Sequence, residues 1–124
     1  MKSLRFAILG LAVFVLAAPA HSQGEQRFAE LGDFTLESGE VIQDLKIGYR
    51  TFGELNAAKS NAVLFPTWFT GTTADLVEWV GPGKLVDPSK HYVILVDAIG
   101  DGVSTSPSNS ATQPGMRFPR FTIG

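Results

Sequence analysis

Cysteine is missing from all 124 residues, which excludes disulfide staples, thiolate metal sites and attachment through a lipidated cysteine. A domain without those devices depends on apolar burial for its stability. Histidine is nearly as scarce, with only His21 and His91 present, and a serine nucleophile needs a base of that kind to take its proton. His21 falls in a leader-like segment. His91 opens an apolar run after Pro88-Ser89-Lys90 and reads as a strand-edge residue rather than a base. No Ser-His-Asp triad assembles from these positions.

A cluster of Lys and Arg is also lacking, and charge is balanced at 10 basic against 12 acidic side chains. Nucleic-acid binding needs a basic patch to displace counterions, so no nucleic-acid partner is expected. The carboxylates show neither H-E-x-x-H nor EF-hand spacing, and no metal or other cofactor is expected. Gly81-Pro82-Gly83-Lys84 lacks the G-x-x-x-x-G-K-[ST] frame of a phosphate loop and reads as the turn that ends a helix.

No apolar run approaches the ~20 residues that span a bilayer. The longest, Phe6 to Ala18, follows the cations Lys2 and Arg5 and precedes small residues at Ala18, Ala20 and Ser22. That order is the n-region, h-region and cleavage region of a secretory signal peptide. It predicts a leader over residues 1–22, cleaved after Ala20 or Ser22, a secreted or periplasmic location, and no stable membrane anchor. Cleavage at Ser22 would remove Lys2 and Arg5 and leave 8 basic against 12 acidic side chains.

What the chain does contain is strand signal. Residues Gln23 to Leu31 read as a loose polar lead-in. From Asp33 onward, Phe34 and Leu36 alternate with Thr35 and Glu37, and Leu45, Ile47 and Tyr49 alternate with Lys46, Gly48 and Arg50 around Ser38-Gly39-Glu40. Period-two alternation about a glycine turn predicts a β-hairpin. Ala62 to Phe65 is apolar throughout and reads as a strand covered on both faces, and Val93 to Val96 is the strongest strand signal of all. Between them, A-D-L-V-E-W-V suits a short helix. Two such strands, each ending in a glycine-containing loop, place a site at one edge of a sheet.

The first of those loops follows N-A-V-L-F-P and reads T-W-F-T-G-T-T, Thr67 to Thr73. Strand ends of this kind present backbone N–H groups to a substrate oxygen in α/β enzymes. After the second, S-T-S-P-S-N-S holds four serines, but G-V-S-T-S fails the G-x-S-x-G nucleophile elbow at its last position. A polar loop tied by side-chain-to-backbone hydrogen bonds is the better reading. Asp97 and Asp101 flank the Gly100 turn and read as loop caps rather than ligands.

In order, the segments F-T-L-E-S-G, Y-R-T-F-G-E-L-N, N-A-V-L-F, F-T-G, G-P-G-K-L-V-D-P-S-K, Y-V-I-L-V, S-T-S-P-S and F-P-R-F-T-I resemble the amino-terminal part of the homoserine O-acetyltransferase family and its esterase-like relatives. The resemblance runs from about Phe34 to Gly124. It implies an α/β-hydrolase fold, here a β-hairpin followed by parallel strands with short helices, and a serine acyl-enzyme mechanism. The family's catalytic Ser, Asp and His would fall beyond Gly124, so no catalytic residue of that set is expected in this chain. Thr67-Trp68-Phe69-Thr70-Gly71 occupies the family's His-Ala-Leu-Thr-Gly position. The resemblance therefore implies the Phe69 backbone N–H as an oxyanion-hole donor, with Thr70 and Gly71 shaping the loop.

Thr67-Trp68 in place of His-Ala, Ser106 in place of a glycine, and an export signal look more like the hydrolase side of the family than its acetyltransferases. The resulting expectation is the amino-terminal portion, residues 23–124, of an exported α/β-hydrolase-fold esterase or acyltransferase, incomplete before the nucleophile elbow and inactive alone. Its small-molecule partner would be an ester or acyl donor, and exposed strand edges would favour self-association. The alternative is a secreted binding or interaction module that kept the front of the fold without catalysis.

Overall fold

The computed structural model describes residues 23–122; the expected signal peptide lies outside the described residues. Four strands form one mixed sheet in the order β1-β2-β4-β3. β1 (Arg27–Thr35) and β2 (Val41–Phe52) make the hairpin. Its turn is closed by Gly39 N–H on the Leu36 carbonyl at 2.9 Å and by Leu36 N–H on the Glu40 carbonyl at 2.8 Å. Gly39 takes φ 86 there, a conformation that costs side-chain-bearing residues energy.

The loose lead-in does not extend to Leu31. Arg27 to Glu30 pair with Tyr49 to Lys46 as regular antiparallel strand, and the register then slips on either side of Gly32. Gly32 has φ 68 and Asp44, across the hairpin, has φ 49. Such bulges break the side-chain alternation, so the strand carries no continuous period-two signal through them.

β3 (Ala62–Pro66) and β4 (Tyr92–Val96) run parallel, from Ala62 opposite Tyr92 to Pro66 opposite Val96, and β2 closes on β4 antiparallel. Both parallel strands end at the same edge, so the segments after Pro66 and Val96 emerge side by side. The connection between them carries α1 (Thr73–Leu76) and a 3-10 turn (Val77–Trp79), and Gly81 follows. Leu76 and Val80 pack on Val93 and Leu95, with Phe52, Phe65, Val77 and Val86 around them. Each completely buried aliphatic of that set contributes roughly 1.5–3 kcal/mol over leaving it exposed.

The expectation that β3 is covered on both faces fails. Its side chains alternate between half-buried and exposed, and Leu64 is 67% exposed. The Leu76 and Val80 cluster packs on Phe65 on one side of this edge strand, and nothing among the described residues covers Leu64 on the other.

A second apolar cluster, Ile42, Leu45 and Phe118 with Leu36, Ile47 and Ile99, joins the hairpin to the chain after β4. The long irregular segment there is well fixed. Residues 41–48 of β2 extend past the end of β4, leaving ladder groups open on that side, and the segment fills them. Thr105 N–H donates to the Lys46 carbonyl at 3.0 Å, Lys46 N–H donates to Thr105 Oγ1 at 2.8 Å, and Gly48 N–H donates to Ser104 Oγ at 2.9 Å.

Candidate functional site

The loop from Thr67 to Thr72 begins where β3 ends. Gly71 N–H donates to the Trp68 carbonyl at 3.0 Å, and Thr70 has φ 70. That is a four-residue turn whose third residue is left-handed, as in a type II turn. A β-branched threonine there is strained. Phe69, at the second position, is 93% exposed, and its backbone N–H meets no acceptor among the described residues. Gly71 is buried under the Trp68 ring: an added Cβ would stand 2.6 Å from Trp68 Cε2. The turn can form with Trp68 folded over it only because Gly71 has no side chain.

Past the turn, Asp75 Oδ2 accepts from Thr72 N–H at 2.8 Å and from Thr72 Oγ1 at 2.9 Å. These bonds, the backbone one foremost, hold the Asp75 carboxyl below the usual range.

Behind the loop lies a buried polar cluster. The Asp97 side chain, fully buried at the end of β4, accepts Thr73 N–H on Oδ1 at 2.7 Å, and Thr73 Oγ1 at 2.9 Å and Gln26 Nε2 at 3.0 Å on Oδ2. Arg50 Nε donates to Thr73 Oγ1 at 3.0 Å and its terminal nitrogen to the Gly24 carbonyl at 2.7 Å. Gly48 makes room for the carboxylate, since a Cβ there would stand 2.7 Å from Asp97 Oδ2.

Asp97 does more than cap its own loop, the role its sequence position suggests. Its partners Thr73 and Gln26 lie 24 and 71 residues away. The available signal was a carboxylate closing an all-apolar strand, because a buried charge requires several donors.

Asp101 is the cap of its loop: Oδ1 accepts Val103 and Ser104 N–H at 2.8 and 2.9 Å. Its Oδ2 is buried without a partner. Burial, with the nearby Asp97 charge as a lesser cause, raises the Asp101 pKa above 3.8 against the lowering effect of the two backbone bonds. A carboxyl raised in the folded state contributes stability that is complete below its unfolded pKa and lost as pH rises through the folded one. Asp101→Asn is therefore expected to melt higher than the parent at neutral pH, with the advantage vanishing below the ordinary carboxylate pKa. Thermal scans at the two pH values check this, and an advantage equal at both would contradict it.

The serine-rich loop is structural. Ser104 and Ser106 are completely buried; Ser104 Oγ donates to the Asp97 carbonyl at 2.8 Å, and Ser106 Oγ bonds Ser108 Oγ at 2.8 Å. Asp87, Ser89 and His91 do lie together, at the opposite end of β4. There the Ser89 hydroxyl donates to Asp87 at 2.8 Å rather than to an imidazole, and that bond foremost holds the Asp87 carboxyl below its usual range. The five residues of β4 separate His91 from the Phe69 turn by roughly 16 Å.

Among the described residues no group of three or more His, Asp or Glu could hold a metal ion, and no helix is long and apolar enough to cross a membrane. A cleft of about 470 Å³, between the hairpin and the segment after β4, is lined by Phe28, Asp44, Lys46, Thr105 and Asn109 among others. The Phe69 turn is an open surface in this chain.

No protein-family model matches the chain. It is 41% identical over 108 residues to a probable esterase of Corynebacterium glutamicum, covering 85% of this chain and 31% of that protein. Similarity to the ethyl acetate hydrolase of Pseudomonas veronii is 36% over 105 residues, covering 83% and 30%. Similarity to the homoserine O-acetyltransferase of Caulobacter vibrioides is 42% over 117 residues, covering 81% and 31%. Among solved structures, an acetylester hydrolase from Corynebacterium glutamicum superposes with a TM-score of 0.66 at 42% identity, over 70% of this chain and 25% of that one. The chain thus spans just under a third of the length of the curated relatives it matches.

Proposed function

The chain belongs to the esterase/homoserine O-acetyltransferase branch of the α/β-hydrolase superfamily, and from that premise we propose that it supplies the oxyanion-binding part of a serine acyl-enzyme site acting on small esters. The observation that carries the reading is the Phe69 N–H: without an acceptor among the described residues, exposed, and set at the apex of a braced turn at the carboxyl edge of the parallel strands. A donor in that state stabilises an oxyanion without first breaking a bond of its own. Its side chain is immaterial to that task, so phenylalanine serves where acetyltransferases carry leucine.

The attacking serine and its base are not among the described residues, and the chain by itself turns over no ester. Thr67-Trp68 and the leader-like residues 1–22 favour the hydrolase side of the branch and an exported location. The names of the relatives, two of them ester hydrolases, favour a short acyl group.

The test is reconstitution. The purified chain is mixed with the part of the Corynebacterium glutamicum probable esterase that follows its matched segment, and p-nitrophenyl acetate turnover is followed. Each piece alone is expected to sit at the buffer rate and the mixture well above it. Turnover by the chain alone would refute the assignment. The bare β3 edge and Leu64 also favour self-association; sedimentation of the same preparation showing a clean monomer at micromolar concentration would remove that part.

A further inference from the structure

We propose that three consecutive residues, Val96-Asp97-Ala98, act as a single clamp that sets the position of the Phe69 N–H, with Thr67 and Thr73 as its two jaws. The inference rests on the oxyanion reading for its purpose and on hydrogen-bond geometry for its substance.

At the entrance to the loop, Thr67 N–H donates to the Val96 carbonyl at 3.0 Å, and Thr67 Oγ1 accepts Ala98 N–H at 3.1 Å. At its exit, Thr73 N–H and Oγ1 bond the two Asp97 carboxylate oxygens at 2.7 and 2.9 Å. The end of β4 therefore holds both ends of Trp68 to Thr72, the five residues that carry the turn. Thr73 is in turn braced by Arg50 from β2, and Gln26, just before β1, braces Asp97. The clamp is thus referenced to the sheet rather than to another loop.

The turn needs such a hold. Thr70 sits at φ 70, where a β-branched residue is strained, and the single bond from Gly71 to Trp68 closes it. A strained turn with one internal bond persists when its surroundings over-determine it. Freeing either jaw lets Thr70 relax toward negative φ, which breaks the Gly71-to-Trp68 bond and releases the Trp68–Phe69 peptide, so that the Phe69 N–H loses its fixed direction.

Thr67 is a positioning residue on this account, acting through its hydroxyl. Valine at 67 keeps shape and β-branching and removes the acceptor, while serine keeps the acceptor. Ala98 is exposed, so its freed N–H can turn to water and the fold survives Thr67→Val.

Hydrogen–deuterium exchange of the purified chain, read at amide resolution by fragmentation mass spectrometry, tests the clamp without any activity. The parent should protect Thr73, Ala98 and Gly71 while Phe69 exchanges freely. Thr67→Val should speed exchange at Ala98 and Gly71 by about tenfold, the loss of roughly one hydrogen bond, leave residues 41–52 unchanged, and be reversed by Thr67→Ser. Gly71 exchange within twofold of the parent in Thr67→Val would overturn the proposal, as would acceleration spread evenly over the hairpin or a parent chain that protects none of these amides. Failure of reconstituted turnover, with this exchange pattern intact, would instead discard the oxyanion reading and leave the clamp standing.

Discussion

Asp97→Ala is expected to destabilise the fold by about 2–5 kcal/mol, from the buried donors it leaves without an acceptor. Three donations converge on the carboxylate. Alanine strips Thr73 N–H and Gln26 Nε2 of their shortest acceptor, while Thr73 Oγ1 can turn its proton to Gln26 Oε1 at 3.0 Å. Each buried group left unsatisfied costs about 1–3 kcal/mol. Against total stabilities of about 5–15 kcal/mol, and with a core resting on two small clusters, that loss is enough to abolish a cooperative transition at 37 °C.

Asp97→Asn is the control, because its carbonyl oxygen still accepts Thr73 N–H while its amide cannot accept Gln26. It should fall between parent and alanine. Gly48→Ala reaches the same cluster from the other side by driving a methyl into Asp97 Oδ2, and should resemble Asp97→Ala. Urea titrations of the four chains rank them; an Asp97→Ala chain within 1 kcal/mol of the parent would show that the network is not the brace described above.

The second large effect is on catalysis. Phe69→Pro should lower kcat/KM of the reconstituted enzyme by about 10²–10³, the loss seen when one oxyanion donor is removed. Proline deletes the N–H and nothing else required by the backbone, because Phe69 stands at the second position of the turn, where proline is favoured. Phe69→Ala keeps the N–H and should stay within a few-fold of the parent. Initial rates on p-nitrophenyl acetate for the two variants give the comparison directly. Equal rates would remove the Phe69 N–H from the reaction, and a deficit in alanine as large as in proline would assign the effect to the ring.

The parts of this architecture that were legible in the sequence are those set by local pattern. The Gly39 turn, the run from Val93 to Val96, and the short helical stretch that ends at Trp79, ahead of Gly81, each follow from residues within a few positions of one another. β1 was half-hidden because the bulges around Gly32 and Asp44 scramble the alternation that would have announced it. For β3 the composition misled: Ala-Val-Leu-Phe looks covered on both faces, whereas Leu64 stays 67% exposed, with nothing among the described residues over it.

The turn itself could be located from T-W-F-T-G, but its brace could not. Asp97 meets Thr73, Gln26 and, through Thr73, Arg50 only after four separate segments have converged. No local period encodes that meeting. The serines, by contrast, were legible: G-V-S-T-S fails the nucleophile elbow and reads as a polar loop, and Ser104 and Ser106 are sealed.

On the proposed reading, the chain stabilises negative charge on a substrate oxygen while none of its described residues attacks a carbonyl. Incubating the purified protein with an excess of a fluorophosphonate and weighing it intact tests this most directly. The predicted spectrum shows the unmodified mass alone; a stoichiometric adduct mapped to one of the chain's own serines would contradict the account.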